Sequence, residues 1–316
     1  MPAPYKTRLI RLIALNAALA LIVALGWLVD AGRGAVPLLS LELLPEPAAV
    51  RSLSIDGRDG RVELLKREGT WSLKDEYGEL PADTPRVEAF LASLGGVRRA
   101  ERMARSAAAF PALGLGEDAL RVRLADFSDR TVVEFFVGGY GPSSEFAYAR
   151  LAGADEAWAL PAAAAAYVYA SRSSWQDLRV LPAGISVQDV QEFRAEGYVE
   201  LEAGAKATLG YALRREGGSW VSANASPAPD GLKVEAMLRS ALGLRALGYE
   251  PPADGGLEAK AKLVFSLGDG RSLTLSLAER LQDGRYRAAS SARARPFALA
   301  AGAVLDVFKP LDGLAP

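Results

Sequence analysis

One feature constrains this chain more than any other: it repeats itself once, in order, over most of its length. The stretch LLKREGTWSLKDEYGELPADTPRVEAFLASLGGVRRAE, from Leu64, aligns with ALRREGGSWVSANASPAPDGLKVEAMLRSALGLRALGYE, from Ala212. Trp71 falls on Trp220, Asp83 on Asp230, and VEAFL at Val87 on VEAML at Val234. Further along, LADFSDRTVVEFFVG from Leu124 matches VFSLGDGRSLTLSLA from Val264, and WALPAAAAAYVY from Trp158 matches FALAAGAVLDVF from Phe297. A fold that serves this chain must therefore be one that can be built twice.

Each copy reads as a sheet with helices. VELLKRE and TWSLKD alternate around Glu68-Gly69, the pattern of an antiparallel hairpin with glycine in its turn. Asp83 then stands as a helix N-cap with Pro85 in the first turn. Val87, Phe90, Leu91 and Leu94 follow at helical spacing until Gly95-Gly96. LRVRLADF with TVVEFFVG, and FAYARL with AWAL, predict two more hairpins, and Pro161 opens a short helix from Ala162 to about Tyr169. The expectation is about six strands, one good helix and one short helix per copy, a segregated α+β unit. SRSSWQDLRVLPAGIS, residues 171–186, lies between the copies, and Pro182 and Gly184 mark the boundary. The domains expected are 35–182 and 183–316, each an antiparallel sheet with helices.

The amino terminus is different in kind. Leu12 to Val29 is an uncharged run preceded by Lys6, Arg8 and Arg11 and followed by Asp30, which reads as a transmembrane helix. A cleaved signal peptide is the alternative, but the run is long for one and the best cleavage site, GRG before Ala35, is poor. Residues 1–34 are thus expected to be a cytoplasmic basic flank and anchor. Under the positive-inside rule the rest of the chain lies outside the cytoplasm. Asn16, inside the run, is an amide that would bond a partner helix, or a polar residue that an alanine-rich span tolerates.

A single amino-terminal span followed by GTWSL, PADTPRVEAFLASL, ALGLGED, VGGYGPSSEFAYAR and SSWQDLRVL resembles the bacterial DUF4340 family over most of residues 45–310. The resemblance implies a protein held in the bacterial cytoplasmic (inner) membrane with its bulk in the periplasm and without an assigned activity. It also implies an accessory role beside an ABC-type exporter permease or a gliding-motility-like auxiliary subunit. No functional residues transfer with it.

The residues themselves exclude much. There is no histidine and no cysteine, so the commonest general base, the usual nucleophile partners and most metal sites are missing, and no cofactor is expected. Basic and acidic residues balance at 37 and 38, which gives no field for nucleic acid. No GxSxG, SxxK or Walker motif occurs. The glycines of FFVGGYGPSSEFAYARL, Gly138, Gly139 and Gly141, sit between two strands, with no lysine near. Copy two has AERLQDGRY there, so a hairpin turn is expected rather than a phosphate cradle. The acidic pairs Asp75/Glu76 and Glu79/Asp83 are the nearest thing to a glycosidase dyad, with Asp83 already expected to cap a helix. Candidate partner contacts are the basic run Arg98, Arg99, Arg102 and Arg105, the exposed Tyr140, and Trp175 at the inter-repeat junction, which has no second-copy match in sequence. The reading is a non-enzymatic, membrane-anchored accessory or scaffold protein. The alternative is a binding module for an envelope glycan or peptide, with a groove near Tyr140, Trp175 and Tyr198; a carboxylate-dependent hydrolase ranks below both.

Overall fold

The computed structural model describes residues 38–57, 60–222, 228–252 and 257–316. The expected span 12–29 and Asn16 lie outside the described residues. Among those described, no helix is long and apolar enough to cross a membrane. They form two antiparallel sheets and four α-helices.

The first sheet is built from β1 (Leu38–Ser40), β2 (Ser52–Gly57), β3 (Gly60–Arg67), β4 (Thr70–Asp75), β5 (Gly78–Pro81), β6 (Arg99–Ala104), β7 (Leu120–Ala125), β8 (Thr131–Tyr140), β9 (Phe146–Leu151) and β10 (Ala157–Pro161). Its spatial order is β1-β6-β10-β9-β8-β7-β2-β3-β4-β5. The second contains β11 (Val190–Glu200), β12 (Lys206–Glu216), β13 (Ser219–Ser222), β14 (Gly248–Tyr249), β15 (Ala261–Leu267), β16 (Ser272–Arg280), β17 (Tyr286–Ser290) and β18 (Phe297–Leu299). Its order is β14-β18-β17-β16-β15-β11-β12-β13. Without β1 and β5, the first sheet has the same order strand for strand: β6 takes the place of β14, β10 that of β18, and so on to β4 and β13. The sheets have ten and eight strands rather than about six: β2 and β11 lie between the next strand in sequence and a distant one, β7 or β15, while β6 and β14 are held only by partners distant in sequence and carry little local pattern.

Helices α1 (Thr84–Gly95), α2 (Ala162–Val168), α3 (Gly231–Leu242) and α4 (Ala301–Val307) take matching places in the two copies. The apolar positions that predicted α1 are its buried ones: Val87, Phe90, Leu91 and Leu94. Its start is capped as expected, the Asp83 carboxylate accepting from Arg86 N–H at 3.2 Å. Asp230 does the same for α3, accepting from Leu232 N–H at 2.8 Å. The turn between β3 and β4 places Glu68 and Gly69 in the left-handed region at φ 50° and 82°.

Contacts within the chain define two compact units. Of the described residues, one unit contains those up to Val62 together with Glu88–Ala170, the other those of Glu63–Val87 with Ser171–Pro316. In the first, Leu53, Val122, Phe135, Trp158 and Leu160 are fully or almost fully buried, with the Phe135 and Trp158 rings 6.4 Å apart. In the second, alternate residues of β11, β12, β15 and β16 meet Val234, Met237 and Leu238 of α3 and Val304 and Val307 of α4 in one core. Phe193 sits at its centre, edge-on to Tyr211 and stacked near Phe265. At ~25 cal/mol per Å2 of buried apolar surface, such interiors are the main stabilising contribution in either unit.

Candidate functional site

The glycine-rich loop is a hairpin. Only Gly141 belongs to its turn, donating N–H to Phe146 O at 2.9 Å while Ser144 N–H returns to Gly141 O. The second copy closes similarly with one residue fewer, Leu281 N–H to Arg285 O and Gly284 N–H to Leu281 O. Gly138 and Gly139 lie inside β8, at a bulge between Val137 and Tyr140 that the second sheet repeats between Leu277 and Arg280. Gly138 is needed for a different reason: a Cβ there would collide with the Leu113 carbonyl oxygen. Tyr169 O–H donates to Gly138 O, and its ring lies 4.8 Å from that of Tyr140. Burial, then the neighbouring Tyr140, pushes the Tyr169 phenol up to about 12. Tyr140 remains partly exposed above this pair.

The four arginines do not make a ridge. They run along the start of β6 and past its end, where alternate side chains point to opposite faces, so Arg99 and Arg102 are separated. Arg102 is tied to Glu156 at 3.2 Å, while Arg98, Arg99 and Arg105 are exposed.

Trp175 offers no surface, since its exposure is 0 %. Its carbonyl accepts from Asp83 N–H at 2.8 Å, and Arg86 lies 5.3 Å from its ring. Contrary to the sequence comparison, it has a counterpart: Leu314, also fully buried, accepts from Asp230 N–H at 2.8 Å. Both residues end a short 3-10 turn beneath the start of the long helix. The shared feature is backbone geometry, which a tryptophan and a leucine satisfy equally and an alignment of side chains misses.

A concavity lined by arginines lies wholly within the second unit and was not legible in the sequence. About 400 Å3 in volume, it has one wall from Arg67, Trp71, Glu79 and Pro81, and the other from Tyr249 and Arg293 to Arg295. Neither Tyr140 nor Tyr198 lines it, and Trp175 is buried away from it. Three ion-paired groups shape it. Asp75 pairs with Arg295, both side chains nearly buried at 8 % and 11 % exposure, and Arg295 donates further to Glu250 O. Asp177 receives Arg179 at 2.9 Å and Arg293 at 2.9 Å. Glu79 accepts from Ser72 Oγ at 2.7 Å and pairs with Arg67 at 3.0 Å on the rim. Burial alone would push the Asp177 carboxyl up, but the bonds from Arg179 and the charge of Arg293 outweigh it and hold the group below the usual carboxylate value. Tyr249 O–H donates to Asp177 O at 2.9 Å, and burial pushes its phenol up.

This hollow is lined by three paired guanidinium groups, the hydroxyls of Thr70 and Ser72, and Tyr249. Its carboxylates are occupied by arginines, which suits binding and orientation better than proton transfer. Of the acidic pairs marked in the sequence, Asp75 holds Arg295, Glu79 holds Arg67, and Asp83 caps α1. Among the described residues no group of three or more acidic side chains is placed to hold a metal ion.

One family model matches, a domain of unknown function, DUF4340, over residues 71–262. No curated protein and no solved structure matches.

Proposed function

The chain belongs to the DUF4340 family, and from that premise we propose that it is a non-enzymatic, membrane-anchored extracytoplasmic scaffold, an accessory subunit of an ABC-type envelope transport complex. The observation that supports this best is how its acidic side chains are used. Asp83 and Asp230 cap helices, Asp126, Asp269 and Asp283 close turns, and Asp75 and Asp177 hold arginines in place. These are the roles of a chain whose polar groups fix a shape. The uncharged run 12–29 behind Lys6, Arg8 and Arg11 supports a single span with the amino terminus inside. The matching strand orders support a duplicated ancestral unit. Cross-linking the intact chain in native membranes is expected to recover a transporter permease or auxiliary subunit; recovery of none counts against the accessory role. Release of the chain by alkaline carbonate would overturn the anchor.

A second reading has its own support. The arginine- and aromatic-lined hollow suits a polar, extended envelope glycan or peptide. Calorimetric titration with short fragments of each kind tests it. Arg67→Ala at the exposed rim should weaken binding without loss of stability, and heat-silent titrations with both classes would remove this reading.

A further inference from the structure

Single exposed apolar side chains are ordinary on protein surfaces, but Phe127 stands apart. It occupies the β7–β8 turn and is 85 % exposed. The turn does not require it. In the first sheet Asp126 N–H bonds Arg130 O at 3.0 Å and Asp129 N–H bonds Asp126 O at 3.1 Å. In the second, Leu267 N–H bonds Arg271 O at 2.9 Å and Gly270 N–H bonds Leu267 O at 3.0 Å. Asp129 and Gly270 share the left-handed conformation, at φ 56° and 84°. The two turns share these two backbone bonds, and Gly268, whose own N–H donates to Asp189 O at 2.8 Å, stands where Phe127 does.

The turn is also stiff. The Asp126 carboxylate accepts from Ser128 N–H at 2.8 Å, Arg130 N–H at 3.1 Å and Arg130 Nε at 3.0 Å. An aromatic ring is thus held out in water, at a defined place, at the cost of its own hydration.

Topology says where that place is. In the run β1-β6-β10-β9-β8-β7 all neighbours are antiparallel. The start of β1, the end of β6, the start of β10, the end of β9, the start of β8 and the end of β7 therefore share one end of the sheet. Leu38, the first residue of β1 and itself well exposed, is at the end where Phe127 projects. So is a shallow hollow of about 280 Å3 that Pro45, Ala49 and Val132 line with Asp126 and Arg130. From Val29, the last residue of the uncharged run, to Leu38 the chain can extend no more than about 30 Å. The β7–β8 hairpin stands four to five strand spacings of about 4.8 Å from β1, well inside that reach.

From this juxtaposition we infer that Phe127 docks into the lipid headgroup region on the extracytoplasmic face of the anchoring membrane, as a second contact that fixes the orientation of the first unit on the bilayer. The inference rests on the anchor reading above. The neighbouring charges are already paired, Asp126 with Arg130 and Asp129 with Arg123, so the contact is apolar and insensitive to salt.

The absence of cysteine allows a direct test on the full chain, reconstituted in phosphatidylcholine–phosphatidylglycerol vesicles. A bimane dye is attached at Ser128→Cys, beside Phe127, or at Ser272→Cys, at the matching hairpin of the second sheet. Shallow spin-labelled lipid should quench the dye at 128 and leave that at 272 bright, in low and high salt alike. Phe127→Gly should abolish the difference with no change in thermal unfolding, because the second copy makes this turn with glycine. A chain that does not float with the vesicles overturns the anchor and the docking together. A floating chain whose two dyes are quenched equally, or whose quenching at 128 survives Phe127→Gly, overturns the docking alone. A dye at 128 shielded from aqueous iodide but untouched by lipid quencher indicates a protein contact and also overturns it.

Discussion

The two halves of this molecule answer the same folding problem, and their differences separate what the fold needs from what was added to it. Both place a tryptophan on the strand after the β3–β4 or β12–β13 turn, with a cation from the facing residue near its ring: Lys66 lies 5.7 Å from Trp71 and Arg215 lies 4.9 Å from Trp220. Both cap the long helix with aspartate, bulge the same strand, and bond the residue before that helix to a 3-10 turn beyond the short one. They diverge where a side chain faces solvent or a neighbouring loop: Phe127 against Gly268, and Gly138 against Ala278. Backbone bonding is repeated; surface chemistry is not.

The comparison is most exposed to failure at the tryptophans. Trp71→Ala and Trp220→Ala should each cost about 3–5 kcal/mol, since both rings are buried and a cavity would remain. Denaturant unfolding followed by circular dichroism measures this, and a large loss at one site with none at the other would break the equivalence. Next is the bulge. Gly138→Ala should destabilise by roughly 1–3 kcal/mol through collision with Leu113, whereas Ala278→Gly should cost only about 0.5–1 kcal/mol from chain entropy. Equal losses would mean that Gly138 is not there for close approach. The caps come third: Asp83→Ala and Asp230→Ala should each lose about 1 kcal/mol. Asparagine at either position should restore most of it.

The last effect is confined to acid. Because the folded-state pKa of Asp177 is depressed, its contribution is fully present above the unfolded value near 3.8 and is lost as pH falls through the lower folded value. Asp177→Asn should flatten that limb of the stability profile. An unchanged acid limb would show that the arginine cluster around Asp177 carries no pH-linked stability.

What the sequence disclosed follows from the range of the forces involved. The β3–β4 hairpin, the capped helix α1, the pairs β7–β8 and β9–β10 and the short helix α2 are set by turn residues and by periods of two or 3.6, all within a dozen residues. Strands β6 and β14 are set by partners far along the chain, and β6 in particular is a charged stretch that becomes a strand only because β1 and β10 flank it. The hollow near Arg295 is hidden for the same reason: Asp75 and Arg295, adjacent in space, are separated by most of the chain, and no local spacing announces an ion pair. Phe127 was legible as a residue but not as an anomaly, since its exposure acquires meaning only beside a glycine in a turn closed by the same two backbone bonds.

The bond from Asp83 N–H to Trp175 O, and its twin from Asp230 to Leu314, also set a schedule. Each long helix begins at a residue whose partner is synthesised more than half a repeat later. A nascent chain can wind the helix early, since helix formation is local and fast, but its first turn stays unlatched until the closing 3-10 turn has left the ribosome. The repeat therefore matures as one piece, and the first can be latched while the second is still being translated.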